Sequence, residues 1–294
     1  MDPYYKGAMF ALFSAAGFGM TPVLAVFAYD GGVSVYSLLF LRFMMAAVVL
    51  FSYIFINKNE IDLDLSDHLK LFVQGGIIYS VFSICYFSAI SVISPSLAVL
   101  LFYNYPIIVA LLSFLINGEK ITKRIIFSII VSFAGLIMLF GENFNNLNKI
   151  GILLALGASI SYSVYAIYGR HILDTIPLSV TTAYICFFAA FTFLAAGLYQ
   201  NKLNFSFTPV SWIYVGLITL ITVGGFLSFF AGIKLTSPTI VSILGMTEPI
   251  MTIILSFIIF SEQFTIIQIM GVGLVLTAST QVLFKKNKKI LKKY

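Results

Sequence analysis

ISPSLAVLLFYNYPIIVALLSFLINGEKIT, residues Ile93 to Thr122, is a long apolar stretch with a proline near its middle and a Gly-Glu-Lys turn at its end. A closely similar stretch returns later in the chain as TSPTIVSILGMTEPIMTIILSFIIFSEQFT, residues Thr236 to Thr265. A constant shift of 143 positions, as from 95 to 238, aligns the two. The matched pairs include Pro95 with Pro238, Pro106 with Pro249, and Glu119 with Glu262. Two copies at one offset predict a protein built from a repeated unit.

The composition of the chain is that of a polytopic membrane protein. Of its 294 residues, 60% are hydrophobic and only 10% are charged, whereas a soluble domain carries about 25% charged residues. A net charge of +6 would suggest a nucleic-acid partner in a soluble protein, but here the basic residues lie between apolar segments and at the C-terminus. The bilayer accounts for them there, so we expect membrane lipid as a partner and no nucleic acid. Cys85 and Cys186 lie inside apolar segments and are expected to behave as small core residues.

The sequence contains ten apolar runs of the length that a bilayer-spanning helix needs, about 20 residues. Charge clusters, prolines and Asn/Gly turns separate them, and no connection is long enough for a soluble domain. We expect an all-α integral membrane protein whose helices are Gly7–Ala28, Ser34–Ile56, Leu69–Ile90, Pro95–Ile116, Lys123–Phe140, Lys149–Gly169, Pro177–Tyr199, Val210–Leu235, Pro238–Phe260 and Ile266–Phe284.

The distribution of Lys and Arg predicts the orientation of these helices. Most basic residues, including the lysine-rich tail, fall on one side of them, and Lys149 and Lys202 fall on the other. Because basic loops stay in the cytoplasm, both termini are expected there. The tail could instead be a lipid-binding patch, although topology already accounts for its charge. The expected location is the inner (cytoplasmic) membrane of a prokaryotic-type cell, as a multi-pass monomer or homodimer.

The repeat extends beyond the opening stretch. Small residues recur at four-residue spacing in the first expected helix, and a matching strip follows in the sixth at a shift of 144 positions, as from 7 to 151. The strips are Gly7, Ala11, Ala15 and Gly19, and Gly151, Ala155, Ser159 and Ser163. Such strips let helices pack closely in lipid. The unit is therefore five helices, in residues 1–145 and again in 146–294. An odd number makes the second copy enter from the opposite side, an inverted repeat common in secondary transporters, whose binding sites lie near the midplane between the halves.

Two ionisable side chains are expected deep in the membrane, where a charge costs about 2.5–3.5 kcal/mol on the insertion scale. At about 1.5 Å per residue, Arg42 lies about 12 Å from the outer end of helix two and Glu248 about 15 Å from the inner end of helix nine. We expect both near the midplane, interacting directly or through a substrate across the interface of the halves. Arg42 could equally be a fixed structural pair or extend outward. The Glu248 carboxylate could bind a proton and couple its movement to transport.

Pro106 and Pro249 interrupt the backbone hydrogen bonds in the middle of their helices. A packing kink is the simpler interpretation, and a hinge is the alternative, because a gate would bend at the same place. Polar side chains precede both prolines: Asn104, Tyr103 and Tyr105 in the first copy, Thr247 and Glu248 in the second. These groups could bind substrate or bond within the helix bundle, so both roles stay open.

Tyrosines form two further candidate groups for a binding site. Tyr79, Ser83 and Tyr86 share one face of helix three, and Tyr162 and Tyr165 share one face of helix six. Either face could line an aromatic cavity for an amphipathic or planar substrate, although packing between helices is the alternative for each. Glu119 and Glu262 are expected to organise the turn into the following helix, near its positive end.

Two copies of Ser-Pro, each followed by a mid-helix Pro and then by Glu, in a chain of ten helices, resemble the EamA family of the drug/metabolite transporter superfamily. The second copy is the closer match, through Glu248-Pro249, Glu262 and the glycines Gly271 and Gly273, and Arg42 also fits the family pattern. The first copy departs from it, with Tyr105 where Glu248 stands. The resemblance covers essentially the whole chain. It implies ten helices around a central cavity, with helices five and ten peripheral. It also implies alternating-access carriage of small metabolites, often amino-acid export.

Motifs of enzymes are absent from the sequence, which has no HExxH, G-x-S-x-G, P-loop or CxxC motif. We expect no enzyme activity, no cofactor and no metal. The combined prediction is a secondary transporter of a small organic solute, with export of amino acids or related metabolites favoured. A lipid-handling flippase is the nearest alternative and predicts a lateral, lipid-facing groove. A non-transporting receptor or scaffold is a further alternative, against which the two-faced symmetry of an inverted repeat speaks.

Overall fold

A computed structural model describes residues 2–57, 63–90, 92–93, 95–140, 148–260 and 265–283, with the side chains of residues 95, 96 and 260 excepted. All regular secondary structure in these ranges is helical, which confirms the expected all-α class. Ten spans in them are long and apolar enough to cross a membrane. They are α1 (Pro3–Asp30), α2 (Val35–Ile56), α3 (Leu65–Ile90), α4 in two halves (α4a, Pro95–Phe102; α4b, Tyr105–Asn117), α5 (Lys123–Phe140), α6 (Lys149–Ile172), α7 (Leu178–Tyr199), α8 (Pro209–Leu235), α9 in two halves (α9a, Pro238–Gly245; α9b, Glu248–Phe260) and α10 (Ile266–Leu283).

The largest differences between expected and observed helix boundaries have local causes. α1 begins before Gly7 because the Asp2 carboxylate accepts a hydrogen bond from the backbone N–H of Tyr4 at 3.1 Å, which caps the helix. α3 likewise begins before Leu69, because Asp64 accepts from the N–H of Asp67 at 2.7 Å. The expected end of the last helix, Phe284, lies outside the described residues.

α4 and α9 are broken at corresponding places. α4a ends at Phe102 and α9a ends at Gly245, in each case four residues before the proline, whose ring would collide with that carbonyl in a continuous helix. Pro106 and Pro249 then occupy the second position of the half-helices that follow, where no N–H donor is needed. The interruptions predicted from these prolines are present, as breaks in the helix and not as kinks.

The strips of small residues begin at Gly7 on α1 and at Gly151 on α6, and these two glycines make matching contacts. A Cβ atom on Gly7 would lie 2.8 Å from Cγ2 of Thr236, and one on Gly151 would lie 2.5 Å from Cγ2 of Ile93. Thr236 and Ile93 precede α9 and α4, and their numbers differ by the repeat offset of 143. Each strip therefore packs against the residue that precedes the broken helix of the other half of the chain.

The far ends of the strips, at Gly19 and Ser163, correspond in the same way. A Cβ atom on Gly19 would lie 2.5 Å from the carbonyl oxygen of Glu248. Ser163 Oγ donates a hydrogen bond to the carbonyl oxygen of Tyr105 at 3.2 Å. α1 thus packs along α9b, and α6 packs along α4b, at the first residue after each break. The contact at Gly19 leaves no room for a larger side chain, and the contact at Ser163 is held by this hydrogen bond.

α5 and α10 form a pair in which the helix backbones nearly touch. Gly135 and Gly271 face each other, and a Cβ atom on either would lie 2.7 Å from the carbonyl oxygen of the other. Ser128 Oγ donates a hydrogen bond to the carbonyl oxygen of Ala278 at 3.1 Å in the same seam. The offset of 143 converts one of these residue pairs into the other, so the seam is close to two-fold symmetric.

α3 is not a uniform α-helix, because residues Val73–Tyr79 form a wider π-helical turn. Gly75 lies against α7, and a Cβ atom there would be 2.6 Å from the carbonyl oxygen of Ile185. The carbonyl of Gly75 accepts from Ser80 Oγ at 3.2 Å. Turns of this kind often occur at functional sites, and this one ends at Tyr79, one of the tyrosines singled out from the sequence.

Candidate functional site

A cavity of about 490 Å³ lies between the two halves of the chain. Residues of α1 to α6, α8 and α9 form its wall, whereas α7 and α10 contribute none of the described lining residues. Aromatic rings cover much of the wall, so the cavity combines an apolar body with a few polar groups. This is the composition that small-molecule sites have in general.

The cavity extends from the middle of the bundle to one end only. Its wall includes Tyr29 at the end of α1, Leu38 near the start of α2, Ile90 at the end of α3 and Phe140 at the end of α5. Because successive helices alternate in direction, these positions share one end of the bundle, which we call the open end. The opposite end, where α4 and α6 finish and α9 begins, is called the closed end.

Arg42 lies on the wall with its charge largely uncompensated by the protein. Its Nη2 atom donates a hydrogen bond of 3.5 Å to the Tyr79 hydroxyl, and its guanidinium carbon lies 4.6 Å from the centre of the Phe43 ring. The Nε atom is buried and has no hydrogen-bond partner in the structure. A buried guanidinium N–H without an acceptor is costly, so the site offers a donor to whatever occupies the cavity.

Glu248 lies on the same wall, at the first residue after the break in α9. Of the described residues, the ion pairs within 4.0 Å are Lys70 with Asp67 and Arg170 with Asp174. The direct Arg42–Glu248 contact offered from the sequence as one alternative is therefore wrong for this conformation. The physical reason is that the two side chains stand on opposite halves with the cavity between them. Interaction through a bound solute stays a prediction.

The structure brings nine of the ten predicted binding residues to this one cavity. Its wall contains Arg42, Glu248, Tyr79, Ser83, Tyr86, Tyr103, Tyr105, Tyr162 and Tyr165. The Tyr165 hydroxyl is buried without a hydrogen-bond partner, which makes it a second group that a solute can satisfy. Binding of a solute by any of the nine stays a prediction.

Tyr105 is held more firmly than its neighbours. Its hydroxyl donates a hydrogen bond to the carbonyl oxygen of Ser242 at 3.1 Å. The hydroxyl would also lie 2.6 Å from a Cβ atom on Gly245, so a larger residue there would displace it. Tyr105 therefore bridges the broken helix of one half to the broken helix of the other.

Asn104 does not line the cavity, and its predicted role in binding is not supported. Its Nδ2 atom donates to the carbonyl oxygen of Leu101 at 3.0 Å, which also accepts from the Asn104 backbone N–H at 3.3 Å. Thr247, at the equivalent place in the second copy, donates from Oγ1 to the carbonyl oxygen of Leu244 at 2.7 Å. Both side chains finish the first half of a broken helix, which is the scaffold alternative for these polar residues. Pro249 lies on the wall beside them and Pro106 is buried outside it; hinge motion at either proline stays a prediction.

Some lining residues could have been found from the repeat but were missed. Phe18 is the counterpart of Tyr162 at an offset of 144, and Phe229 is the counterpart of Tyr86 at an offset of 143. All four rings line the cavity. The signal was the position in the repeat, because Phe in an apolar helix is otherwise indistinguishable from ordinary core packing.

The closed end is sealed by a contact that differs from the one expected. Glu119 does not organise the start of α5; Thr122 does so, by accepting from the N–H of Ile125 at 3.3 Å. Glu119 Oε2 instead accepts a hydrogen bond from Thr239 Oγ1 at 2.7 Å. Burial raises the pKa of the Glu119 carboxyl, against the opposing effects of hydrogen bonds from Thr239 and Ser237 and of the Arg170 charge. Its counterpart, Glu262, lies outside the described residues.

Metal-binding groups do not occur in the described parts of the chain, where no three His, Cys, Asp or Glu side chains come together. Cys186 is buried and Cys85 is half-buried, and both are free thiols. The chemistry available at the cavity is therefore that of one carboxylate, one guanidinium, several hydroxyls and many rings.

Sequence comparison connects this architecture with transporters. The model of the EamA-like transporter family matches residues 5–141 and again residues 149–284. The chain is 26% identical over 255 residues to the uncharacterized transporter YetK of Bacillus subtilis (strain 168), covering 84% of this chain and 77% of that protein. It is 24% identical over 241 residues to protein PecM of Dickeya dadantii (strain 3937), covering 75% and 77%.

A solved crystal structure shares the fold. It superposes with a TM-score of 0.81 at 17% identity, over 94% of this chain and 96% of that one. A likeness at this identity concerns the fold alone, whereas the family match covers both halves of the sequence. The chain therefore belongs to the EamA-like transporter family and is a membrane transporter.

Proposed function

We propose that the protein is a secondary transporter that carries a small organic solute by alternating access, and that it works as an exporter. The supporting observation is the cavity between the halves, which reaches one end of the bundle and contains Arg42 and Glu248 without a protein ion pair between them. The five-helix halves, residues 1–145 and 146–294, would move against each other so that the open and closed ends exchange. The breaks before Pro106 and Pro249 are the places where we expect this bending.

The solute that fits these groups best is dipolar, as amino acids are. An acidic group can accept from the unpartnered Nε of Arg42, and a cationic group can approach the Glu248 carboxylate. Tyr and Phe rings between them suit an apolar or planar body. A cationic group among these rings would also gain from the negative ring faces. Amino acids or related metabolites are therefore the proposed substrates.

We place the closed end on the cytoplasmic side of an inner membrane. Lys6, Arg124, Arg170 and Lys234 all lie at the ends of helices that meet there, and basic residues favour the cytoplasm. The open end then faces outward, as in a transporter that has delivered its cargo. Both termini lie on the cytoplasmic side in this arrangement.

Glu248 is the proposed site of proton coupling. Glu248 has no fixed cationic partner and lies on the wall of a cavity large enough for a small solute. Such a carboxylate can exchange one bound proton for a cationic group of the solute. Such exchange would make transport respond to a pH gradient.

Counterflow into proteoliposomes tests the proposal. Purified protein is reconstituted with one unlabelled amino acid inside, and uptake of the labelled form is followed for a panel of amino acids, with and without an imposed pH gradient. We expect saturable counterflow for a subset of the panel. Absence of flux for every solute, with correctly folded and inserted protein, would overturn the proposal.

A lipid-handling protein remains the alternative, and one feature bears on it. A groove of about 540 Å³ lies on the outside of the bundle between α2 and α7. Its lining is apolar apart from Ser52, so it offers a headgroup little to bind. Transfer of labelled phospholipid between leaflets, measured in the same proteoliposomes, distinguishes this function from solute transport.

A further inference from the structure

The contact between Glu119 and Thr239 joins the two halves of the chain at the closed end. Thr239 Oγ1 donates to Glu119 Oε2 at 2.7 Å, and the side chain of Ser237 also acts to lower the pKa of the same carboxyl. Glu119 follows α4b, whereas Ser237 and Thr239 stand at the start of α9a.

The backbone fixes Glu119 to the end of α4b. Gly118 adopts a left-handed conformation with φ of 65°, which residues with a side chain rarely adopt. The N–H of Glu119 then bonds to the carbonyl oxygen of Ser113 at 3.1 Å. This turn leaves the carboxylate directed at α9a, so movement of α9a relative to α4b must break the contact.

α9a is the element that fills the closed end. Residues 238–244 are all buried, and none of them lines the cavity. Its counterpart in the first half, α4a, contributes Val99 and Phe102 to the cavity wall. The two half-helices therefore differ in their surroundings despite their related sequences. α9a is packed on all sides at the closed end, whereas α4a borders the cavity.

Arg170 ties two further helices to the same place. Its Nη1 atom donates to the carbonyl oxygen of Lys234 at 3.2 Å, at the end of α8, and its charge acts on the Glu119 carboxylate. The ends of α4b, α6 and α8 thus converge on the start of α9a. Glu119, Ser237, Thr239 and Arg170 do not line the cavity.

We propose that Glu119, Ser237 and Thr239 form a latch that keeps the closed end shut and must open before the cavity becomes accessible from that side. The proposal rests on the alternating-access function above. Glu119 is a positioning residue in it, because it acts on α9a and not on the solute. Loss of the latch should shift the protein toward the conformation in which α9a is exposed and the present open end is shut.

Hydrogen–deuterium exchange on the full chain in lipid nanodiscs tests this without any solute. In Thr239→Val we expect amides 239–244 to exchange about tenfold faster, a factor that corresponds to about 1.4 kcal/mol. Amides at the open end, in residues 27–40, should exchange more slowly. The control is Thr222→Val on α8, where the buried hydroxyl bonds within its own helix to Ile218 O at 2.8 Å; neither segment should respond.

A purely structural loss would accelerate exchange at both ends, and that result, or unchanged exchange in 239–244, would overturn the latch. If Thr239→Val does not fold, Glu119→Ala, which removes the group that accepts from Thr239, is measured in the same way and judged by the same criteria. Because the exchange experiment does not depend on transport, a result that rejects the latch does not reject the proposed transport function. A negative counterflow result likewise leaves the exchange pattern standing.

Discussion

Tyr105 and Glu248 occupy the same position in the two broken helices, but only Tyr105 is fastened to the opposite half, through its hydroxyl and the Ser242 carbonyl at 3.1 Å. At that position the first half carries a bridge and the second half carries a charge. The two halves are thus related in structure but differ in chemistry at equivalent positions of the cavity wall. We expect the two residues to respond to substitution in different ways.

Replacement Glu248→Gln should abolish counterflow or remove its dependence on a pH gradient. The amide keeps the shape of the side chain but cannot exchange a proton, and it loses the attraction for a cationic group of the solute. Counterflow at several pH values measures the effect, with Asp30→Asn at the exposed end of α1 as the control. Full activity with the pH dependence of the parent protein would contradict the assigned role.

Replacement Arg42→Lys should raise the half-saturation concentration for the solute by about tenfold or more, since a hydrogen bond to a charged group contributes about 1.5–3 kcal/mol. Lysine keeps the charge but has no planar fork with an Nε donor. Counterflow over a range of solute concentrations gives the value. An unchanged half-saturation concentration would show that Arg42 serves the structure alone.

Replacement Tyr105→Phe should lower stability by about 1–2 kcal/mol, because it leaves the Ser242 carbonyl at the end of α9a without its partner. The midpoint of thermal unfolding in detergent measures the loss. Tyr53→Phe, at a tyrosine that is 56% exposed on α2, is the matched control and should have no effect. Equal midpoints for all three proteins would argue against the bridge.

Replacement Gly19→Ala should destabilise the protein by about 1–3 kcal/mol, the usual cost of overpacking, and should also displace Glu248. The added Cβ atom would lie 2.5 Å from the Glu248 carbonyl oxygen and 2.8 Å from Cβ of Met251. Gly216→Ala on α8 is the control, because nothing lies within 4 Å of its Cβ position. That change should be neutral or stabilising, since Ala favours helix by about 1 kcal/mol over Gly.

The latch should become more firmly closed as the pH falls. Burial raises the pKa of Glu119 above its ordinary value of 4.5 in the closed form, and opening would return it toward that value. The closed form therefore binds the proton more tightly, and its population declines as the pH rises from 4.5 through the raised pKa. Arg170 is the charged group that acts on Glu119, and it lowers the pKa of that carboxyl.

Exchange of amides 239–244, corrected for the intrinsic effect of pH on exchange rates, measures this dependence. Glu119→Gln removes the titrating group and should flatten the profile. An identical slope in the parent and Glu119→Gln proteins would show that another group is responsible.

The sequence predicted helices better than contacts. Apolar runs determine spans, so ten helices follow from composition and length, and a proline determines the residue at which α4 or α9 must break. The role of Asn104 did not follow, because a polar side chain beside a break can face a cavity or its own helix with equal ease. The role of Glu119 was missed because its partner, Thr239, is distant in sequence and only the crossing of α4 and α9 brings them together.

Only some of the aromatic residues that line the cavity could be predicted from the sequence. Tyrosine draws attention through its hydroxyl, whereas Phe18 and Phe229 carry no such mark and become evident only as counterparts of Tyr162 and Tyr86. An inverted repeat therefore contains more information about a site than either half read separately.

The wide turn at Val73–Tyr79 accounts for a difference in length between α3 and α8. The residues that cap α3 and α8, Asp64 and Thr208, stand 144 positions apart, whereas Tyr86 and Phe229 on the cavity wall stand 143 apart. Between these points α3 carries one residue more than α8. A π-helical turn holds an additional residue per turn without breaking the helix, so the surplus residue is absorbed before Tyr79 and the cavity-facing rings keep their register. One half thus holds one residue more than the other in the middle of a membrane helix, while the matched rings of both halves line the same cavity.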